Sequence, residues 1–589
     1  MSTRRVQSSA IKPRTLGTDI TPWVRNPSWR ALTAVGSSEE KFAGIVAVFP
    51  QSSYLALSAA GNYTVDWGDG TTANVNTGVT ANKLYDFNDV DLANTNAPVT
   101  LTDAGDLVER TAHGYSNGME VRFYNIVSTT GLTEAQTYYV ISATANDFQV
   151  AATVGGSAIA LSTNGSATLL PYKQAIVTVT PNGGTLTSIN INVKNTTSGL
   201  QAYESGWLDI EVGSPNFTSI TLGGTTANVR VAMCERVAVR SIGSVTSLSS
   251  LFENFRELQA VVLGNTASVT NISRMFTECS SLVTAPLFNT AAVTNMRNMF
   301  RNCRSLTVVP LYNTAAVTDM VETFNACSAL TTVPLFNTAS VTSMNAMFQN
   351  ADCIATIPLF NTAAVTNMSN TFNACRALTA VPLFNTASVT DMNAMFVSCL
   401  SLTTVPLYNT AAVTSMQSIF NNCPSLATVP LLNTAAVTNM REMFNTCTSL
   451  TTVPLFNTAA ATNTQQMFQN CTSLTTVPLL NTAAVTNIQS MFTGCTSLSS
   501  VPALNVSAVS SSGNFTNMFN NCNSLSRIQA EDFRFTFSVA NCKLGAAQLD
   551  EIYTNLPVVV GQTITVSNNV GTTGDDPTIA TAKGWTVTG

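Results

Sequence analysis

Over roughly the second half of the chain, apolar positions follow a pattern that changes period once and then begins again. In residues 433–456, NTAAVTNMREMFNTCTSLTTVPLF, Met440, Met443, Phe444 and Cys447 stand at i, i+3, i+4 and i+7. That is the spacing of one face of a short helix, with Thr438 placed to cap its start. Leu450, Val453 and Leu455 follow as a short extended run whose other side carries Thr452, Pro454 and Phe456. Each unit predicts helix, turn and strand, and Asn457 and Thr458 open the next.

The unit recurs about a dozen times. Cys279, Cys303, Cys327, Cys375, Cys399, Cys423, Cys447, Cys471 and Cys495 fall on one 24-residue comb, with Ala351 in the single empty tooth. Cys522 follows after 27 residues, so three have been inserted near Ser510 to Gly513, and Phe255 holds the cysteine slot of a degenerate early unit. Self-similarity at this period predicts a solenoid, in which no unit buries its apolar face alone and stacking makes the core. A proline at each strand centre lacks an N–H, so the ladder between coils is broken there and the sheet should be narrow. The recurrent Asn after the strand (Asn313, Asn337, Asn361, Asn385, Asn409) suits a buried amide ladder.

Before the array the period is two. FAGIVAVF, YLALSAA and NYTVDWGDGTT read as strands, the last closing on a Gly-Asp-Gly hairpin turn. From 97 to 170 the rhythm shifts, with TAHGYSNGMEVRFYN, TYYVISATANDFQVAAT and AIALSTNGSATL. Short strands from 185 to 240 are placed to cap the first coil of the array. After it, AAQLDEIYTNL predicts a helix and QTITVSNN and AKGWTVTG predict strands, with Trp585 positioned to plug the last coil.

Three stretches resemble known families. The LxxVPLxN and VTNMxxMFxxC segments resemble the bacterial leucine-rich repeats of the BspA-like class, in its VTNM/MF 24-residue variant. The resemblance implies an α/β solenoid used for surface recognition. Tyr63 to Thr71, with its WGDG turn, resembles the polycystic-kidney-disease-type β-sandwich. There Asp66 and Asp69 form the turn rather than a calcium or catalytic pair. The 97–170 segment resembles a small β module of phage tail and fibre proteins, in which His113 is a loop residue. The expected fold is therefore mixed: N-terminal β-sandwich modules, then an α/β leucine-rich-repeat solenoid with a C-terminal cap. Its parts are an anchoring arm (1–30), a sandwich (31–96 and 171–184), an inserted module (97–170), an N-terminal cap (185–240), repeats (241–530) and a C-terminal cap (531–589).

Composition narrows the class. Only 10% of the 589 residues are charged and 45% are hydrophobic, a balance of β-rich extracellular or virion proteins rather than of cytosolic enzymes. A net charge of −6 excludes a nucleic-acid-binding role for the whole molecule, and no apolar run is long enough to insert into a membrane. The 13 cysteines, one per coil on a buried face, read as packed thiols, and a single histidine gives no metal site. Catalytic motifs and cofactor-binding loops are lacking, so no cofactor and no enzymatic activity are expected.

Two sets of residues are candidates for function. The N-terminal arm concentrates Arg4, Arg5, Arg14 and Arg25 with Trp23 and Trp29, a docking segment of charge and aromatic anchors for other virion proteins. Behind its basic residues stands no apolar segment of the secretory type, which favours assembly in a host cytoplasm. In the array, Phe288, Tyr312, Phe336, Phe360, Phe384, Tyr408 and Phe456 occupy one slot, an aromatic stripe of about 45 Å at ~4.8 Å per coil. It has three competing uses: contact with another subunit, stacking on a host glycan or protein, or self-stacked scaffold. The expected role is a phage tail fibre, spike or appendage protein, oligomeric in the particle and presenting its solenoid for host recognition. A capsid decoration or head fibre protein and a bacterial surface adhesin are the alternatives. A polysaccharide depolymerase would need acidic clusters that the pattern does not supply.

Overall fold

The run KFAGIVAV (Lys41–Val48) is buried along almost its whole length because it lies in mid-sheet. It pairs antiparallel with Lys173–Pro181 on one edge and with Gly206–Gly213 on the other. Gly44 is required here: a Cβ would collide with the Trp207 indole of the neighbouring strand. The sheet has eight strands, in the order Ala260–Leu263, Arg236–Ser241, Gly206–Gly213, Lys41–Val48, Lys173–Pro181, Tyr63–Asp66 and Thr72–Val75, with Ala93–Asn94 also on Lys173–Pro181. A second sheet is ordered Ser219–Thr221, Ser188–Asn190, Ser53–Ala60, Thr80–Tyr85. This is a computed structural model, and it describes residues 29–49, 53–87, 89, 93–94, 97–110, 115, 117, 120–134, 136–153, 155–170, 172–193, 206–224 and 231–589.

Six strands between Ala97 and Leu170 close into a barrel around their own core of Leu101, Val108, Phe123, Tyr138, Phe148 and Leu169. The chain enters the barrel after Ala93–Asn94 and leaves it into Lys173–Pro181. The two strands that flank the barrel are themselves paired.

The 24-residue period starts inside the large sheet. Arg236 lies opposite Ala260 in a parallel pair, and Arg236–Ser241 is parallel to Gly206–Gly213. Gly206–Gly213 therefore has an antiparallel neighbour on one side and the first coil on the other. At this junction the carboxylates of Asp209 and Glu211 are buried. Arg236 pairs with both, at 2.8 Å to Asp209, and Arg240 grips Glu211 with two bonds of 2.9 and 3.0 Å. Burial would raise the Glu211 carboxyl, but the Arg240 and Arg236 hydrogen bonds outweigh it and hold the group below the usual carboxylate range.

The chain forms two compact units, Met1–Val269 with Met275–Asn289 and Thr270–Arg274 with Thr290–Gly589. In the second unit the repeats contain no α-helix, which corrects the α/β expectation. Among the described residues the α-helices are Ala546–Asn555 and Thr578–Thr581, both beyond the array. The backbone at Glu442 and Thr446 is left-handed (φ 56° and 61°), as it is at the same two slots of the other coils. A right-handed helix cannot pass through such residues. Met443, Asn445 and Cys447 donate back three residues within tight turns, while Met440, Glu442, Phe444 and Thr446 donate to the next coil, to Asn463, Gln465, Met467 and Gln469, at 2.7–2.9 Å. The i, i+3, i+4, i+7 residues still face inward, since two successive turns have nearly the same inward spacing as two helical turns. An isolated segment of eight residues is too short to hold helix by propensity, and the stack offers its N–H groups better partners.

The strand is equally reduced. Strand pairing between these coils is reduced to single parallel bridges that run from Asn271 through Asn295, Asp319 and so on to Asn487. Ordinary strand pairing returns only at Ser500–Asn505 with Arg527–Glu531. The three inserted residues near Ser510 become the short 3₁₀ turn Ser512–Phe515. Beyond it, Phe519 stacks on Phe533, and then Phe537 and Trp585 turn edge-on at 81° and 83°. Trp585 is buried and donates to the Pro557 carbonyl at 2.9 Å, and the helix Ala546–Asn555 buries Leu549, Ile552 and Tyr553.

Candidate interaction face of the repeat array

In five coils one hydrogen bond marks the turn that sets which side chains meet solvent. The N–H of Phe456 donates to the carbonyl of Pro454, two residues back, at 2.9 Å, and the same bond closes at Phe336, Phe360, Phe384 and Leu432. This γ-turn puts the intervening leucine at its apex and breaks the alternation of the strand. Val453 and Phe456 point inward while Leu455 points out.

The aromatic stripe is therefore internal. Phe288, Tyr312, Phe336, Phe360, Phe384, Tyr408 and Phe456 are all buried, a correction to the exposed placement that alternation implied. Their rings join those of the MF segment in parallel stacks. Phe372 lies 5.9 Å from Phe348, 5.7 Å from Phe396 and 6.0 Å from Phe384, all within 11° of parallel. Burial pushes the Tyr312 and Tyr408 phenols well above their ordinary range. This is the geometry of self-stacked scaffold.

Leucines hold the exposed place. Leu311, Leu335, Leu359, Leu383, Leu407, Leu431, Leu455 and Leu479, one per coil over eight consecutive coils, are each 59–64% exposed. The segments between the turns, such as 377–390 and 449–462, carry no Asp, Glu, Lys or Arg in any coil from residue 305 to 510. Every charge of that stretch sits on the turn side, where Arg301 faces Glu322 at 3.3 Å and Arg376 faces Asp352 at 3.5 Å across neighbouring coils. Each coil thus has a charged edge and a charge-free, leucine-ridged edge.

Polar side chains secure the ridge. The Thr434 hydroxyl donates to the Asn457 carbonyl of the next coil at 2.8 Å, a contact repeated from Thr266 to Thr458. The recurrent asparagines are exposed, and Asn433 accepts from the N–H of Ala435 in its own turn. The buried ladder is therefore of threonine, not asparagine. The thiols of Cys279, Cys327, Cys375, Cys399, Cys423, Cys447, Cys471, Cys495 and Cys522 donate to a carbonyl of the preceding coil, as Cys447 does to Phe420 at 3.0 Å. Burial lifts the Cys423 and Cys495 thiols to about 12, so they are packed groups without thiolate chemistry.

The other candidates resolve as follows. Trp29 is buried among Ile45, Ala47 and Leu208 and donates to the Tyr172 hydroxyl at 3.2 Å, so its indole anchors the chain to itself. Arg4, Arg5, Arg14, Trp23, Arg25 and His113 lie outside the described residues. Asp66 accepts from the Gly68 N–H and Asp69 from Thr71, while Lys83 pairs with Asp69. Burial would raise the Asp69 carboxyl, yet the Lys83 and Thr71 bonds keep it low. Both carboxylates are occupied in shaping the turn. Among the described residues no group of three His, Cys, Asp or Glu could hold a metal.

Sequence comparison places the array. The family model described as "Mycoplasma protein of unknown function, DUF285" matches residues 232–333, 318–431, 352–452 and 414–533, together just over half of the chain. The chain belongs to this family. The DUF285 match covers the coils that form the leucine ridge. No curated protein matches the chain. Among solved structures, a leucine-rich repeat protein from Bacteroides ovatus is similar at 17% identity, over 64% of this chain and 89% of its own, with a TM-score of 0.32. One from Eubacterium ventriosum has 16% identity over 52% and 89%, with a TM-score of 0.33. The functional domain of InlJ from Listeria monocytogenes, which includes a cysteine ladder, has 13% identity over 62% and 77%, with a TM-score of 0.20.

Proposed function

We propose that this chain is a non-enzymatic interaction protein whose array presents the charge-free leucine edge to a partner, and that it works as a tail fibre, spike or appendage component of a phage particle. The observation that carries the interaction role is the ridge itself. Eight leucines in a row, at roughly 100 Å² each, leave on the order of 800 Å² of apolar surface in water, more than the few hundred Å² a monomer ordinarily tolerates. The phage setting is supported by the likeness of residues 97–170 to a tail-fibre β module and by the closed barrel those residues form. We read the two flanking sheets as the polycystic-kidney-disease-type sandwich that holds this module, and residues 1–30 as the segment that docks on other virion proteins. Host glycan or protein is the outward partner.

The test is immunogold labelling of intact phage with an antibody against residues 241–530. Gold on the tail or its appendages supports the reading, and gold over the head assigns the chain to capsid decoration. A bacterial surface protein is the second reading, favoured by the family's description as a Mycoplasma protein. Label on no particle and on the surface of the producing bacterium would establish it instead.

A further inference from the structure

We infer that the leucine ridge is a homotypic interface, on which a second copy of this chain packs its own ridge. The inference rests on the reading of this edge as a contact surface and names its occupant. Three observations point to a second copy. The first is pitch. The ridge repeats once per 24-residue coil with nearly constant exposure from Leu311 to Leu479, so its leucines and the gaps between them form a regular comb about 34 Å long at ~4.8 Å per coil. Only a surface with the same repeat can seat leucines into gaps along the whole length, and a second copy carries that repeat by construction. A surface of any other spacing would fit at one or two coils and clash or gape at the rest.

The second observation is charge. Two molecules of the same net charge, −6, repel wherever their charged surfaces meet, but the segments around the ridge carry no Asp, Glu, Lys or Arg from 305 to 510. All the arginines and acids of the coils sit on the other edge, so apposed ridges desolvate no charge. The third is area. The ridge offers about the 800 Å² per partner that a standard-size interface buries, and an isologous pairing about a two-fold axis uses the same patch on both copies.

Sedimentation of the full chain from about 1 nM to 100 µM tests this, a span set wide because interfaces of standard size differ in affinity by orders of magnitude. The expected result is a monomer–dimer equilibrium that the double variant Leu359→Glu, Leu383→Glu weakens by at least ~100-fold, because four carboxylates would be buried unpaired at its centre. Both positions are exposed, and a urea midpoint equal to that of wild type at a concentration where both are monomeric shows that the variant folds. Arg301→Glu, on the charged edge, should leave the equilibrium where it is. A wild-type chain that stays monomeric throughout, or an assembly that the double variant leaves intact, overturns the inference. Particle incorporation and host binding of the double variant separate the two levels. A monomeric wild type whose double variant still loses either of these overturns the second copy and keeps the contact surface. A monomeric wild type whose double variant keeps both removes the two together.

Discussion

The antiparallel part of the large sheet and the repeat array solve the same problem, burying side chains of extended chain, by opposite means. In the sheet the backbone does the ordering. Tyr63 and Val65 face the core between partners that fix their register, and a period of two read from the sequence predicts which side each residue faces. In the array strand pairing shrinks to one bridge per coil, the remaining backbone bonds between coils come from the turns, and the core is ordered by stacked side chains: phenylalanine on phenylalanine, threonine hydroxyl on carbonyl, thiol on carbonyl. There a single γ-turn reverses the parity of two neighbours. Where strand pairing is thin, alternation ceases to be a guide to burial, and local turn chemistry takes over.

If stacking carries the array, its loss should be the most damaging change. Phe372→Ala removes a ring with three parallel neighbours and is expected to cost about 3–5 kcal/mol in urea unfolding. The loss spreads to adjacent coils because each coil is stable only through its neighbours. In the sheet the counterpart is ionic. Glu211→Gln leaves Arg236 and Arg240 short of their partner at a buried site and should cost about 2–3 kcal/mol, less than a fully buried pair because both arginines reach solvent. The pH dependence has a fixed sign. With the folded pKa of Glu211 held low, its contribution is fully present above the ordinary glutamate value of about 4.3 and is lost as pH falls through the folded value, so wild type and Glu211→Gln should converge on acidification.

Smaller effects sharpen the contrast. A disulfide reagent at pH 8 should titrate about one of the 13 thiols in the folded chain, Cys353, because the other 12 are buried, and all 13 in guanidinium. Rapid reaction of several would mean that the coils breathe. Pro382→Ala should cost only about 0.4–1 kcal/mol, through the unfolded chain, because the γ-turn bond uses the proline carbonyl, which alanine also has. A larger loss would mean that the pyrrolidine ring itself holds the parity reversal.

Much of this architecture was legible in the sequence. The 24-residue comb gave the solenoid and the buried thiols, the shift of rhythm at 97–170 marked the segment that closes as a barrel, and AAQLDEIYTNL became the helix Ala546–Asn555. The helix in each coil was misread because the inward spacing of two tight turns imitates that of a helix. The correcting signal lay in the slot before each cysteine, where Asn302, Asn350, Asn422, Asn470 and Gly494 recur. These are the residue types that best tolerate left-handed backbone, and all five adopt it. The exposed ridge was missed for a similar reason. Pro-Leu-Phe was read as continuous strand, and a γ-turn closed by a backbone bond leaves no mark in the side chains.

The central claim is that, in the Pro-Leu-Phe segment of each coil, leucine faces out and the aromatic residue faces in. Urea unfolding of two neighbouring variants, Leu383→Ser and Phe384→Ser, at a concentration where the chain is monomeric, tests it most directly. Phe384→Ser should cost about 3–5 kcal/mol or more, and Leu383→Ser should stay within about 0.5 kcal/mol of wild type. Comparable losses, or a larger loss from Leu383→Ser, would contradict the account.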